Sequence, residues 1–377
     1  MDTDDAVWVA VLPAPGCTLG ILDAAVRDAD DGGIVVQRQL YAWKDGGAPT
    51  VTQGGCTMRV SMSRADHRRA AEAGDASKIF AATGAAIADA GNPCTSPYLN
   101  GIGALLCGNL GSEGTRAAVL HVGLGAGSLP AAMAIWAVRC SLSLDQVALE
   151  DDRGVAALAG VAFGWKGVEI DEGEIAARFG SPADRGRRPD DSLLVHVVAD
   201  GLHVLCGVGA PGCGLARAFD AVVIDAAPLC PSRTGLAAPP ADFLADRGAL
   251  AGAFRAVKPG GCVVLNALEA GARHGGACRA ALRACERVQG AACAAWAVEG
   301  RGGTGCDNVL LVMTKGEAAE AAEALEAGEA TGAGSSDEAA AGESGAAAAA
   351  AGSPGPAGVP DEWWGVCVRR LGPGEGW

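Results

Sequence analysis

The sequence predicts an α/β protein with a Rossmann-like sheet of seven strands, mostly parallel, with one antiparallel strand. Two observations indicate this class. From residue 117 onward, apolar strand-like runs alternate with helical segments, which is typical of parallel strands covered on both faces. A glycine-rich turn, VGLGAGS, then joins the first of these runs to a helix. We expect a β-rich N-terminal extension at 1–95, the main domain at 96–328, and an acidic low-complexity linker with a tryptophan-containing tail at 329–377.

Short β-like runs separated by Gly, Asp and Pro mark the N-terminal extension. They lie at 6–12, 33–43 and 57–62, and the polar, alanine-rich stretch 64–93 joins them to the main domain.

Seven strand candidates follow in the main domain. The first five are apolar runs with helical segments between them and should be parallel, whereas the last two are joined by a short glycine-rich turn and should pair antiparallel. The candidates are 117–122, 146–150, 193–198, 219–226, 262–268, 293–299 and 307–314.

The C-terminal part changes composition. Residues 316–327 form a further helix candidate, and 328–360 are Ala, Gly, Ser, Glu and Pro, a composition typical of disorder. Residues 316–362 carry ten acidic side chains and no Lys or Arg. Trp363 and Trp364 follow, and they either dock on the domain or bind another molecule.

Composition narrows the class of function. The chain of 377 residues has a net charge of −15, which argues against a nucleic-acid partner and favours a basic substrate. No stretch is long and apolar enough for a bilayer span, and the acidic N-terminus lacks a targeting pattern, so we expect a cytoplasmic protein. None of the 14 cysteines forms a C-x-x-C pair, which favours free thiols and no metal site.

The glycine-rich turn is the first candidate site. Gly123, Gly125 and Gly127 lie between a buried strand and a helix, where the absence of Cβ lets a ligand approach the backbone amides. Alone, the motif also fits a bare tight turn. It fits a nicotinamide site less well, because the third glycine of that fingerprint would fall at Ser128.

Acidic residues at the ends of the next strands are the second candidate feature. Glu150 could accept both ribose hydroxyls of a nucleoside, or Glu150, Asp151 and Asp152 could cap the next helix; both can hold at once, with Glu150 as ligand and Asp152 as cap. Asp200, followed by Gly201, could accept an adenine amino group or be an ordinary turn residue. Asp225 ends the fourth strand, is buried by its pattern, and lies at the ligand edge of the sheet.

Together, the glycine turn, the ribose acid, the Asp-Gly pair and the fourth-strand Asp resemble the class I S-adenosylmethionine-dependent methyltransferases over about residues 95–328. They resemble the spermidine-synthase-related branch in particular. Within it, VGLGAGSLP, VVADGL and VLNAL look most like the second catalytic domain of the methyltransferase-like protein 13 family, which methylates a lysine and the N-terminus of elongation factor 1-alpha.

That resemblance implies S-adenosylmethionine as cofactor and a protein with a free amine as substrate, and it leaves homodimer formation open. It implies a catalytic role for Asp225 and assigns the cofactor to Gly123, Gly125, Gly127, Glu150, Asp200, Gly201 and Asp225.

Two other functions stay open. Spermidine synthases carry an acid inside the glycine turn and a second Asp after the strand-four Asp, and this chain has neither, which counts against a polyamine aminopropyltransferase. A non-catalytic cofactor-binding scaffold would keep the same motifs. We interpret His121 as a core residue because its neighbours are apolar, and Tyr98 as either a substrate contact or a helix-packing residue.

Overall fold

The computed structural model describes residues 6–14, 17–44, 47, 51–86, 96–110, 115–179, 192–210, 213–227, 236–245, 247–269, 276–300, 305–316 and 366–371. The helix candidate at 316–327 from its second residue on, the stretch 328–360, and Trp363 and Trp364 lie outside these residues.

The N-terminal region forms a five-stranded antiparallel sheet whose strands lie in sequence order. Every β-like run expected here is part of a strand. Two further strands were not expected: the second, whose sequence CTLGILDAAVRD mixes small, polar and apolar residues, and the short fifth, which lies in the stretch 64–93 expected to join the extension to the main domain. The strands are β1 Ala6–Ala14, β2 Cys17–Asp28, β3 Ile34–Trp43, β4 Val51–Val60 and β5 Thr83–Ala86. Helices α1 Arg64–Glu72 and α2 Ala76–Ala81 connect the last two strands.

The second sheet holds the main domain. Its strands are β6 Arg116–Val122, β7 Ser143–Glu150, β8 Val168–Glu169, β9 Leu194–Val198, β10 Phe219–Ile224, β11 Leu236–Ala238, β12 Val257–Glu269, β13 Ala291–Gly300, β14 Gly305–Lys315 and β15 Val366–Arg370. The order is β15-β13-β14-β12-β10-β6-β7-β9-β8, with β11 paired to β12. All seven strand candidates are strands, and β13 pairs antiparallel with β14 as expected.

The expected count of seven strands with one reversed strand is wrong. Among the described residues the sheet has ten strands, because the short β8 and β15 add to its two edges and the short β11 pairs with the C-terminal end of β12. Antiparallel pairs join β12 to both β11 and β14, and join β13 to both β14 and β15. These added strands are two to five residues long, too short for apolar periodicity to identify them.

Helices cover both faces of the central parallel strands because successive strand residues point to opposite sides. The helices of the main domain are α3 Pro97–Cys107, α4 Ser128–Arg139, α5 Arg153–Phe163, α6 Glu172–Phe179, α7 Gly201–Gly207, α8 Ala241–Ala245, α9 Arg247–Ala256 and α10 Gly276–Glu286. Leu120 and Val122 of β6 pack in the core with helices α7, α9 and α10, whereas Val119 packs in a second core with α3 and α4.

The order of the five central parallel strands positions the site. Strand β6 pairs with β7 on one side and with β10 on the other. The later strands are therefore added first on one side of β6 and then on its other side, which makes the gap between β6 and β10 the switch point. In open α/β sheets, ligands bind in the crevice at the carboxyl ends of the strands at this switch point. The glycine turn follows β6, and Asp225 follows β10, so both candidate features lie there.

The N-terminal sheet packs against the main domain beside this crevice. Its core includes Ala126 of the glycine turn and Val155, Leu158 and Phe163 of α5. The region expected to be an extension is therefore one wall of the main domain.

Candidate functional site

The glycine turn is shaped first by the protein's own backbone. Gly123 has a φ of +95°, and a Cβ at this position would lie 2.4 Å from the carbonyl oxygen of Asp225. Gly125 and Gly127 also have positive φ, and Gly127 is the N-cap of α4. Gly123 is thus required for the close approach of the β10 end, which brings Asp225 to the turn.

Glu150 lies at the end of β7 and holds the turn in place. One carboxylate oxygen accepts hydrogen bonds from the amides of Leu124 (3.1 Å) and Gly125 (3.0 Å), and the other accepts from the amide of Asp152 (3.2 Å). Burial, reinforced by Asp151, raises the pKa of Glu150 to about 7, although the three amide bonds act in the opposite direction. Four lone pairs serve three amides, so the carboxylate retains capacity for a ligand hydroxyl.

The cap interpretation holds for Asp152. Its side chain accepts hydrogen bonds from the amides of Gly154 (2.7 Å) and Val155 (3.2 Å) at the start of α5. The two acids therefore have different structural roles: Glu150 contacts the glycine turn, and Asp152 caps the helix.

Asp200 and Gly201 have local structural roles. The Asp200 carboxylate is exposed and accepts from the amide of Leu202 (2.9 Å), capping α7. A Cβ on Gly201 would lie 2.4 Å from Cγ1 of Val122, so this glycine permits α7 to pack on β6. Their assignment to the cofactor stays a prediction.

Asp225 is held by a chain of polar side chains across three strands. Its Oδ1 accepts from Nδ2 of Asn266 (2.8 Å), and the Asn266 oxygen accepts from Nδ2 of Asn308 (2.8 Å). Burial raises the pKa of Asp225 to about 6, against the opposing effect of its hydrogen bonds with Asn266 and Tyr98. Asp225 is therefore largely ionised at neutral pH and fixed in orientation.

A small cavity opens at this point between the two sheets. Its polar lining consists of Tyr98 from α3, His121 from β6, Ser128 from α4 and Asp225, and Gly54 of the N-terminal sheet closes one side. The remaining lining is made of glycine and apolar side chains. Tyr98 thus lines the cavity, contacts Asp225 and also packs on the α3–α4 core.

His121 is the site residue that sequence reasoning missed. It is 1% exposed and buried as expected, but it faces the cavity rather than an apolar core alone. Its Nε2 lies 2.9 Å from Oε1 of Gln146, whose amide nitrogen donates to the carbonyl of Pro130 (3.0 Å). Burial lowers the pKa of His121 to about 4, so the ring is neutral at physiological pH. The sequence contained a signal for this role, because His121 is a polar residue inside an apolar run that leads to the ligand edge of the sheet.

Metal-binding groups and membrane-spanning helices are both absent from the described residues. They contain no group of three or more His, Cys, Asp or Glu side chains that could hold a metal ion. Within the same part of the chain, no helix combines the length and apolar character needed to cross a membrane.

Comparison with known proteins gives only distant structural likenesses. No protein-family model and no curated protein matches the chain. Solved structures that resemble it include spermidine synthase from Thermotoga maritima, with 12% identity, a TM-score of 0.37, and coverage of 82% of this chain and 79% of that one.

Two methyltransferases are also similar. One is the 16S rRNA (adenine(1408)-N(1))-methyltransferase from Catenulisporales acidiphilia, with 16% identity, a TM-score of 0.30, and coverage of 60% of this chain and 98% of that one. The other is phosphoethanolamine N-methyltransferase 2 from Haemonchus contortus in complex with S-adenosyl-L-methionine, with 10% identity, a TM-score of 0.30, and coverage of 82% and 71%. Likenesses this distant carry no argument about activity, and the resemblance to the methyltransferase-like protein 13 family stays a prediction.

Proposed function

We propose that this chain is an S-adenosylmethionine-dependent methyltransferase that acts on an amine of a protein. The observation that supports this most is the approach of Asp225 to the glycine turn at the switch point of the sheet. The Gly123 contact brings an ionised carboxylate, held by Asn266, to the place where α/β sheets bind ligands.

The chain's residues fit the proposed cofactor. Helix α4 begins at Ser128 with no acidic residue in its first turn, so the amides of Ser128 and Leu129 face a region suited to a carboxylate. Glu150 keeps acceptor capacity for a ribose hydroxyl beyond its three amide bonds. When bound, S-adenosylmethionine supplies a methyl group activated by its sulfonium.

The role we assign to Asp225 is to orient the amine. Its carboxylate accepts a hydrogen bond from the incoming N–H, while Asn266 and Tyr98 keep the carboxylate from turning away. Because the pKa of Asp225 is raised to about 6, the carboxylate is also a stronger proton acceptor than an ordinary aspartate. Tyr98, Leu99 and Leu129 surround this position and limit the access of water.

The decisive experiment is calorimetric titration of the full chain with S-adenosylmethionine and, separately, with its decarboxylated form. We expect the intact form to bind more tightly, because the α4 N-terminus favours its carboxylate. Preference for the decarboxylated form would support an aminopropyltransferase instead. Binding of neither would reject both enzymatic functions and also a cofactor-binding scaffold, and would leave a non-catalytic protein that keeps only the fold.

A variant pair tests the assignment of Glu150. We expect Glu150→Ala to weaken S-adenosylmethionine binding by about ten-fold or more, since it removes a ligand hydrogen bond to a charged group and loosens the turn. Glu169→Ala, at an exposed position in β8, is the matched control and should bind as the parent does. Equal affinity in both variants would reject the ribose assignment.

A transfer assay then tests the substrate class. Peptides with a free N-terminal amine, with an internal lysine, or with neither would be incubated with S-adenosylmethionine and examined by mass spectrometry. A gain of 14 Da confined to peptides with an amine would support the proposal, about 14 Da being the mass of one added CH₂. Asp225→Asn should reduce this rate without abolishing cofactor binding.

A further inference from the structure

The lining and size of the cavity limit the kind of ligand that it can hold. Among the described residues, no lysine or arginine lines it, and its apolar lining includes Leu99, Leu124 and Val223. The cavity has a volume of about 20 Å³, slightly more than the ~10–15 Å³ that one water needs. The end of a narrow alkyl chain with a small head group fits such a space, and an aromatic ring does not.

The hydrogen bonds around His121 determine its tautomer. The carbonyl of Pro130 can only accept, so the Gln146 group that contacts it must be the amide nitrogen. The oxygen of Gln146 therefore faces Nε2 of His121, and this ring nitrogen must carry the proton. Because burial keeps the ring neutral, Nδ1 is left with a lone pair and can accept a hydrogen bond.

Ser128 supplies another polar group. It is 2% exposed, and its hydroxyl has no hydrogen-bond partner of normal geometry among the described residues. The Cys56 thiol is beside it, but a thiol is a weak partner. A buried hydroxyl without a strong partner costs free energy unless a ligand satisfies it.

We infer that His121 and Ser128 complete, with Asp225, a set of three hydrogen-bond acceptors that selects a primary amine. This inference deepens the proposed function and rests on it for the identity of the reaction. A primary ammonium has three N–H donors, one for each acceptor, and release of one proton to the Asp225 carboxylate leaves the neutral amine that can react. Each added methyl removes one donor and leaves one buried acceptor unpaired, so the site discriminates against amines that are already methylated.

The test begins with His121 in the full chain labelled with ¹³C and ¹⁵N at histidine. The ring shifts should report the tautomer protonated at Nε2 throughout the neutral pH range. A tautomer protonated at Nδ1 would overturn the inference, because it would present a donor to the amine. This measurement needs neither a variant nor a cofactor.

Titration with methylammonium chloride, with tetramethylammonium chloride as the comparison, follows in the same sample. We expect a saturable change in the His121 resonances with methylammonium only. Equal responses to the two salts, or none at either, would overturn the selection of a primary amine. Since S-adenosylmethionine is absent, this result is independent of whether the chain transfers a methyl group.

Variants identify the residues responsible, read through the resonances of ¹³C-labelled methylammonium. His121→Phe keeps a ring of similar shape without the acceptor, and we expect it to weaken methylammonium binding by about ten-fold. Gln146→Leu keeps His121 but removes the acceptor that fixes its tautomer, and it should weaken methylammonium binding less than His121→Phe does. The control is His196→Phe in β9, which does not line the cavity and should leave binding unchanged. Unchanged binding in His121→Phe, once thermal unfolding shows that it is folded, would overturn the assignment.

Discussion

At the scale of single residues, several side chains and glycines are explained by the protein's own contacts before any ligand is considered. Gly123 admits the Asp225 carbonyl, Gly201 admits Val122, and Glu150 ties the glycine turn to β7. Such contacts pre-form a site, because a turn already held by Glu150 loses little further freedom when a ligand binds.

The raised pKa of Asp225 gives a prediction at this scale. In the unfolded chain the carboxyl has its ordinary pKa of 3.8, and in the folded protein burial raises the pKa to about 6. Between these values the folded state binds more protons than the unfolded state, so the contribution of Asp225 to the free energy of unfolding falls as pH rises. Asp225→Asn removes this titration and can keep the bonds to Asn266 and Tyr98.

We therefore expect the difference in free energy of unfolding, variant minus parent, to increase from about pH 4 to about pH 6 and then to level off. The total change should be on the order of 1–3 kcal/mol. Urea unfolding of both proteins at a series of pH values measures it. A difference that does not vary with pH would mean that Asp225 titrates alike in the folded and unfolded states.

Sequence reasoning was least complete at this scale. It identified Asp225 from its place at a strand end. However, Asn266 lies 41 residues after Asp225 and Asn308 lies 42 residues after Asn266, so only strand pairing reveals these partners. His121 was interpreted as a core residue because its neighbours in sequence are apolar. Its contact with the cavity depends on α3, α4 and β4, which local sequence does not bring together.

At the scale of secondary structure elements, a buried arginine of the N-terminal sheet, paired with an aspartate of the same sheet, also hydrogen-bonds to α5. Arg38 donates from Nε and Nη2 to the two oxygens of Asp23 (2.7 and 2.6 Å), and from Nη1 to Thr83 (3.0 Å) and the carbonyl of Ala162 (2.7 Å). His67 contacts the same carboxylate at 2.9 Å. The bond to Ala162 crosses from the N-terminal sheet to the last turn of α5, so it links the two layers directly.

We expect Arg38→Met to lower the free energy of unfolding by about 3–5 kcal/mol, because it leaves the buried Asp23 carboxylate without its main counter-charge. Arg59→Met is the control, because Arg59 of β4 forms an exposed pair with Asp31 in the turn between β2 and β3, and it should cost less than about 1 kcal/mol. Denaturant unfolding measures both. Losses of similar size would contradict the assigned role of the buried pair.

The elements themselves were largely predictable. Long apolar runs identified all seven expected strands of the main sheet, because a strand buried on both faces needs continuous apolar sequence. Strand β2 was missed because small and polar residues interrupt its apolar ones and weaken that pattern, although most of the strand is buried. The docking of the N-terminal sheet on α5 depends on Arg38 and Ala162, residues 124 positions apart, and could not be foreseen.

At the scale of the whole molecule, the last described residues of the chain form a strand of the main sheet. Strand β15 pairs antiparallel with β13, from Gly300 opposite Val366 to Trp296 opposite Arg370. It covers an edge of β13 that would otherwise present unpaired backbone groups. The region expected to be a linker and tail thus contributes a strand.

Truncation tests the importance of this strand. We expect removal of residues 366–377 to lower the free energy of unfolding and to promote aggregation, because the edge of β13 becomes available to other molecules. Removal of residues 372–377 alone leaves β15 and the Leu371 amide bond to Ala295 in place, and should have little effect. Urea unfolding and light scattering compare the two. Equal behaviour would show that β15 contributes nothing to the sheet.

The return of β15 also keeps a strand of the main sheet covalently joined to β14 through the residues between Lys315 and Val366. Pairing within one chain acts at an effective concentration that a separate peptide would have to match in solution. A single cut between Lys315 and Val366 would therefore turn an internal strand into a dissociable peptide.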